Sequence, residues 1–166
     1  MFVNEVQTGN LIEVEVVEIE EKDFEFLSEK DSQFKVFVWK EYKGKEVYKL
    51  RLKDSKAILG LMHIVDHLNP NIDAIEIKLL EVRNDNIGKS KKYDFITGCL
   101  IAFACRMSFI REHNGFLFLI PKTSLIKHYS QNYGLEYIPP FGPNKTGIMI
   151  VNEKLAYRLI KQFLNE

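Results

Sequence analysis

Apolar and polar residues change rhythm several times along the chain, and each rhythm predicts an element. From Leu11 to Glu20 the side chains alternate, Ile12, Val14 and Val16 against Glu13, Glu15 and Val17, which predicts a half-buried strand. The acidic run Glu18–Glu21 reads as its solvated end, and Asp23–Ser28 as a short helix. Phe34–Trp39 is dense in β-branched and aromatic residues and reads as a strand or a packed connector. Lys43-Gly44-Lys45 marks a turn, and Val47–Leu52 alternates again, so a hairpin is expected there. Ala57–Val65 predicts a further strand, and Asn69-Pro70-Asn71 turns the chain into the next one. Three consecutive strands with short links suggest an antiparallel meander.

The stretch from Ile72 to Ser108 organises the rest. Ile72–Val82 lacks glycine and proline and carries apolar residues at both parities toward its end, the mark of a strand buried on both faces. A polar loop, Arg83–Lys92, leads into Tyr93–Ser108, where Phe95, Ile96, Cys99, Leu100, Phe103 and Met107 recur at helical steps. His113-Asn114-Gly115 ends that helix, with Gly115 suited to the left-handed position. Phe116–Ile120 is a buried strand that Pro121 terminates, and the crossover should leave it parallel to Ile72–Val82. Thr123 or Ser124 caps a helix that runs to about Tyr133 and stops at Gly134. Pro139–Pro143 is a rigid loop unable to lie inside a sheet, and Gly147–Val151 is a late strand. Asn152 caps a final amphipathic helix with Leu155, Leu159, Ile160 and Phe163 on one stripe. No internal repeat or low-complexity linker interrupts the pattern, so residues 1–166 are expected to form a single α/β domain.

Length and composition fit that reading. A chain of 166 residues can bury a proper core. Lys plus Arg number 23 and Asp plus Glu 23, a balance that argues against a general nucleic-acid binder. No apolar run approaches the length of a bilayer crossing, so no membrane role is expected. Cys99 and Cys105 lie on one predicted helix, too far apart to bridge, and read as buried thiols of a reduced, cytoplasmic protein. The start, Met1–Glu5, has no basic segment followed by an apolar one, so no signal peptide is expected.

Strand, polar loop and helix together have the geometry of an anion site. The first N–H groups of a helix lack partners, and the dipole puts partial positive charge there. Gly88 permits close backbone approach, and Lys89, Lys91 and Lys92 add three cations. A phosphate-bearing cofactor fits; the plainer alternative is a solvated basic loop. His63 and His67 stand four apart on a predicted strand, a separation that argues against a shared metal. His113 and His128 read as helix-end residues, and Cys99 and Cys105 lack a neighbouring base, so neither thiol is expected as a nucleophile.

Glu76-Ile-Lys-Leu-Leu-Glu-Val82, Gly88-Lys-Ser90 and Gly98-Cys-Leu-Ile-Ala-Phe-Ala together resemble the central acyl-CoA-binding motif of the GNAT N-acetyltransferase superfamily. Leu125–Leu135 resembles that family's next helix, which ends in a tyrosine followed by glycine. The loop departs from the family pattern: Asp85 stands where Gln or Arg is usual, Ser90 replaces the second small residue, and extra residues precede Gly98. The resemblance implies a mixed sheet of about six to seven strands, splayed between the central strand and the one following the central helix, and a C-terminal amphipathic helix. The splay would fall between Leu79–Val82 and Phe116–Leu119. Acetyl-CoA or another acyl-CoA would serve as donor, its diphosphate taken by amides of Ile87, Gly88, Lys89, Ser90 and Lys91 near Lys92 and Gly98. Its pantetheine would pair with the strand end at Leu80 and Val82. Glu76, six positions before that valine, would act as base, with Glu81 as the spare carboxylate. Tyr129 would act as general acid, with Tyr133 as rival.

The implied reaction moves an acyl group to a primary amine of a small molecule or peptide. The implied alternative is a non-catalytic module that binds CoA or a partner protein. The family's helical N-terminal region, which shapes the acceptor pocket, is reduced here. A homodimer is common in the family, and no residue decides it.

Overall fold

The structure is a computed structural model that describes residues 1–140, 143 and 146–165. Part of the expected Pro139–Pro143 loop, Phe141 and Gly142, lies outside the described residues. In chain order the elements are β1 (Phe2–Glu5), β2 (Leu11–Glu18), α1 (Glu21–Leu27), β3 (Val47–Leu52), β4 (Ile58–His67), β5 (Ala74–Val82) and β6 (Tyr93–Asp94). There follow α2 (Ile96–Ile110), β7 (Leu117–Leu119), α3 (Ile126–Tyr133), β8 (Glu136–Ile138), β9 (Ile148–Val151) and α4 (Glu153–Leu164). Among the described residues nine strands form, more than the six or seven expected, because β1, β6 and β8 are two to four residues long and too short to show a period of their own.

The chain falls into two compact units, Met1–His63 with Leu79–Leu100, and Ile64–Lys78 with Ile101–Glu166. In the first, the strands run β6-β1-β2-β3-β4, each adjacent pair antiparallel, including β3–β4, the first pair of the expected meander. Phe34–Trp39 forms no strand, so there is no hairpin across Gly44. It is the packed connector: Phe34 and Trp39 are buried with Leu27, Val47, Ile58 and Leu61, and a 3-10 turn follows at Trp39–Tyr42. Side chains this large hold the segment by burial, which outweighs its extended propensity. The acidic run divides in function. Glu18 ends β2, while Glu20 caps α1 in a reciprocal box with Asp23. Lys49 on β3 is 2% exposed and bonds Asp23 at 2.6 Å and Glu20 at 3.0 Å, so the start of α1 is pinned to the sheet.

In the second unit the order is β4-β5-β7-β9-β8. β5 and β7 are parallel, as the crossover requires, and β9 runs antiparallel to both β7 and β8. Asn152 caps α4 as read from sequence, its carboxamide oxygen accepting from Leu155 N–H at 2.9 Å, and Ala156, Leu159, Phe163 and Leu164 are buried. Gly134 closes α3 in the left-handed conformation at φ 77°. At Gly115, φ 79°, a Cβ would lie 2.7 Å from the Phe109 ring and 2.9 Å from Ala156, so both conformation and space demand glycine.

His113 is more than a helix-end residue. Its ring is 2% exposed and lies between Asp73, 2.7 Å from Nδ1, and Asp66, 2.8 Å from Nε2; Arg111 donates to the other Asp66 oxygen at 3.2 Å. A carboxylate at each nitrogen makes both nitrogens donors, so the ring is an imidazolium. Burial alone opposes that charge, but the hydrogen bonds and charges of Asp73 and Asp66 outweigh it and raise the pKa above the ordinary 6.5. A raised folded-state pKa gives a stabilising contribution that is complete below 6.5 and is lost as pH climbs through the folded value. His113→Gln should therefore destabilise by about 2 kcal/mol near pH 6. Melting curves of variant and wild type should converge as the pH rises above the folded-state value; a gap independent of pH would show that the clamp does not titrate.

Candidate active site

In the first unit, β5 hands the chain to the basic loop. Arg83 N–H donates to Leu59 O at 2.9 Å, Asn84 N–H to Gln33 O at 2.8 Å, and a 3-10 turn at Asn84–Asn86 follows. Asn86 is 6% exposed and organises what comes next. Its carboxamide oxygen accepts from the N–H groups of Lys92 at 2.8 Å and Tyr93 at 2.7 Å, and its nitrogen donates to Tyr93 O at 2.8 Å. One side-chain amide thus closes the loop at its base, and Ile87, Gly88, Lys89 and Ser90 stand exposed. Gly88 has φ 83° with nothing within 4 Å of a Cβ position, so it serves conformation rather than space. Lys91 pairs with Asp94 at 3.0 Å, and Lys92 lies 3.8 Å from Glu5 and 5.1 Å from the centre of the Tyr93 ring.

The sequence predicts the helix from Tyr93; it begins at Ile96, because Tyr93 and Asp94 pair with Glu5 and Asn4 as β6. Ile87–Lys91 therefore do not form the opening turn of α2. That turn is Ile96, Thr97 and Gly98, whose N–H groups precede the first helical bond, from Cys99 N–H to Phe95 O at 2.9 Å. Phe95 enters the helix with φ 77°, its N–H held by Asp94 Oδ1 at 2.9 Å. Sequence reading missed this residue because a phenylalanine gives no signal of left-handed backbone. Beside the loop lies an open cleft of about 670 Å³, lined by Arg83, Asp85, Asn86, Lys92 and Tyr93 together with Leu52, Asp54, Ala57 and Leu59.

The ladder between β5 and β7 pairs Ile75 with Leu117, Glu76 with Phe118 and Ile77 with Leu119. The ladder thus covers only the first half of β5, and Leu79–Val82, where the resemblance implies a splay, has no partner in it. β5 runs five residues past the last pair to Val82, with Leu79, Leu80 and Val82 half-buried. Glu81, in that extension, is 3% exposed, and its carboxylate accepts from Val36 N–H at 2.8 Å, Phe37 N–H at 3.4 Å and Trp39 Nε1–H at 2.7 Å. It anchors the connector.

In the second unit, Glu76 is 5% exposed. One carboxylate oxygen lies 2.8 Å from His67 Nε2 and the other 3.2 Å from Lys78 Nζ, while the His67 ring packs on Phe118 at 5.6 Å between centroids. His67 escapes a reading by linear spacing. The signal that could have found it is the short link 68–73 between adjacent strands, which brings residues nine apart face to face. Tyr129 and Tyr133 are both buried on α3, their rings 6.4 Å apart, and burial raises the Tyr129 phenol above its ordinary value. Tyr133 packs on Phe163 at 6.0 Å. Burial likewise pushes Cys99 up to about 12 and Cys105 higher still, which makes both poor nucleophiles at neutral pH.

Solved structures share the fold. SpeG from Vibrio cholerae, a spermidine/spermine N-acetyltransferase solved in mutant forms, superimposes at TM-score 0.58 with 13% identity over 88% of this chain and 98% of that one. AtaTR bound with AcCoA gives 0.55 with 15% identity over 88% and 97%. A KacTA–DNA complex gives 0.58 with 14% identity over 90% and 99%. The fold is that of the GNAT acetyltransferases. No family model and no curated protein sequence matches the chain.

Within this GNAT fold the two β5 glutamates separate by environment. Glu81→Ala would leave two backbone N–H groups and an indole N–H without their acceptor, at a cost of about 3 kcal/mol. Thermal unfolding should register that loss, and a variant as stable as the wild type would remove Glu81 from its anchoring role.

Proposed function

We propose that the protein is an acyl-CoA-dependent N-acyltransferase that moves an acetyl or similar acyl group to a primary amine. The observation that carries this reading is the opening turn of α2, where three successive amides follow a loop bearing Lys89, Lys91 and Lys92 in a GNAT fold. Amide dipoles and lysine ammonium groups favour the diphosphate of CoA. Ile87, Gly88, Lys89, Ser90, Lys91 and Lys92 contribute the loop's share, Gly98 keeps the first turn small, and Leu80 and Val82 offer strand backbone to pantetheine. The AcCoA of the AtaTR structure supports an acyl-CoA as donor.

The chemistry asks for a positioned thioester, an acceptor for the amine proton and a donor for the departing sulfur. Glu76 and its neighbours supply the first proton step, and the Tyr129 phenol, which burial keeps protonated, supplies the second. Amine acceptors are proposed as small molecules or peptides; the polyamine substrate of SpeG makes such amines a sensible first panel. No nucleic-acid role is proposed, since Lys plus Arg and Asp plus Glu balance at 23 each. No helix among the described residues is long and apolar enough to cross a membrane. A second reading, a GNAT-fold module without turnover, is favoured by the Phe95 side chain, 40% exposed at the entry to α2.

Calorimetry with acetyl-CoA should give a dissociation constant on the order of 1–100 μM. Affinity should weaken about tenfold in Lys89→Glu/Lys91→Glu and also fall with added salt. Free CoA should then be released when amines are added. Binding without release for any amine would favour the module, and no binding would sink both readings.

We further propose that the chain acts as one domain, because β4, β5 and α2 each run through both compact units. Heat should unfold it in one transition with matching calorimetric and van't Hoff enthalpies; two resolved transitions would refute this.

A further inference from the structure

The carboxylate expected to act as base does not stand alone. Glu76 is 5% exposed and already holds two partners: Lys78 on one oxygen and His67 Nε2 on the other. A carboxylate with an ammonium on its far oxygen accepts from the ring, so the proton of the neutral imidazole sits on Nε2 and the lone pair on Nδ1. The His67 side chain is 26% exposed, against 7% for Glu76, so the histidine is the member of the pair that a substrate can reach. Phe118 packs against the same ring and, with the Glu76 bond, limits its rotation. The groups that face His67 are Glu76 on β5 and, beyond it, Lys78; Asp66, its chain neighbour, is engaged by Arg111 and His113.

We propose that His67 is the catalytic base of the acyl transfer, acting through Nδ1, and that Glu76 is its positioning residue. This rests on the acyltransferase reading given above. An amine arrives as an ammonium ion, and Nδ1 takes one of its protons and passes it to water. The freed lone pair forms the C–N bond at the thioester carbonyl and the C–S bond breaks. The leaving sulfur takes a proton from the Tyr129 hydroxyl, and the second amine proton makes good that loss. The products are the amide, CoA thiol and one released proton. Imidazole suits this work better than a lone carboxylate because it titrates near neutrality. The pair also fixes the tautomer, since a carboxylate on Nε2 keeps the lone pair on Nδ1.

The test compares His67→Gln with wild type, using acetyl-CoA and spermidine or a lysine-containing peptide as acceptor. Glutamine keeps an N–H for Glu76 but lacks the basic ring nitrogen. Turnover should fall on the order of 10²–10⁴-fold, the range of general-base catalysis. The KM for acetyl-CoA should stay within about threefold, and the acid limb of the pH–rate profile should disappear. Glu76→Gln should lower turnover less and displace that limb rather than remove it. Long-range nitrogen–proton NMR of the wild type near pH 8 should place the ring proton on Nε2, a readout that needs no turnover and is unaffected by a variant that fails to fold. Wild-type activity with His67→Gln within about threefold, or a ring proton on Nδ1, would overturn the assignment and leave the acyltransferase reading intact. A wild type that binds no acetyl-CoA would overturn that reading and this one with it.

Discussion

A helix can approach a strand only as closely as the side chain between them permits, and at Gly60 there is none. A Cβ there would lie 2.9 Å from Ile96 Cγ2 and 3.0 Å from Leu100 Cδ1, so the first turns of α2 rest directly on the backbone of β4. That contact fixes where the helix starts, and everything proposed for the donor follows from the start. The chain must arrive from β6 and turn into the helix within one residue, and Phe95 makes the turn in left-handed backbone at φ 77°. For a residue with a Cβ that conformation costs about 1–2 kcal/mol. The complete burial of Leu100 and near-complete burial of Ile96 offset it.

The two glutamates of β5 show how one strand serves two purposes. They are five positions apart, an odd number, so their side chains leave opposite faces. Glu81 meets three N–H donors and binds the connector that carries Trp39 to the sheet. Glu76 meets a lysine and a histidine, both able to exchange protons. Identical chemistry, separated by environment, yields an anchor for backbone and indole donors on one side and a carboxylate paired with a lysine and a histidine on the other.

Much of this was legible in the sequence. The Leu155–Phe163 stripe and Asn152 cap of α4, the crossover from β5 to β7, and the left-handed ends at Gly115 and Gly134 all follow from local periodicity and glycine chemistry, which act over a few residues. What could not be read depends on distant partners. β6 is two residues long and exists because Asn4 and Glu5 lie beside it. The basic loop reads as a helix opening until Asn86 is seen to tie its base to Lys92 and Tyr93. Phe34–Trp39 has the composition of a strand and is folded away by its own bulk. Glu76 and Tyr129 were singled out by family resemblance, whereas the His67–Glu76 contact was invisible to linear spacing because the partners lie across a turn.

The buried thiols on α2 have a practical corollary. With burial pushing Cys99 up to about 12 and Cys105 higher still, both stay thiols at neutral pH. Alkylating dyes and spin labels will pass the native protein by. A single cysteine introduced on the surface would therefore carry a probe alone, without first stripping the two that nature supplied.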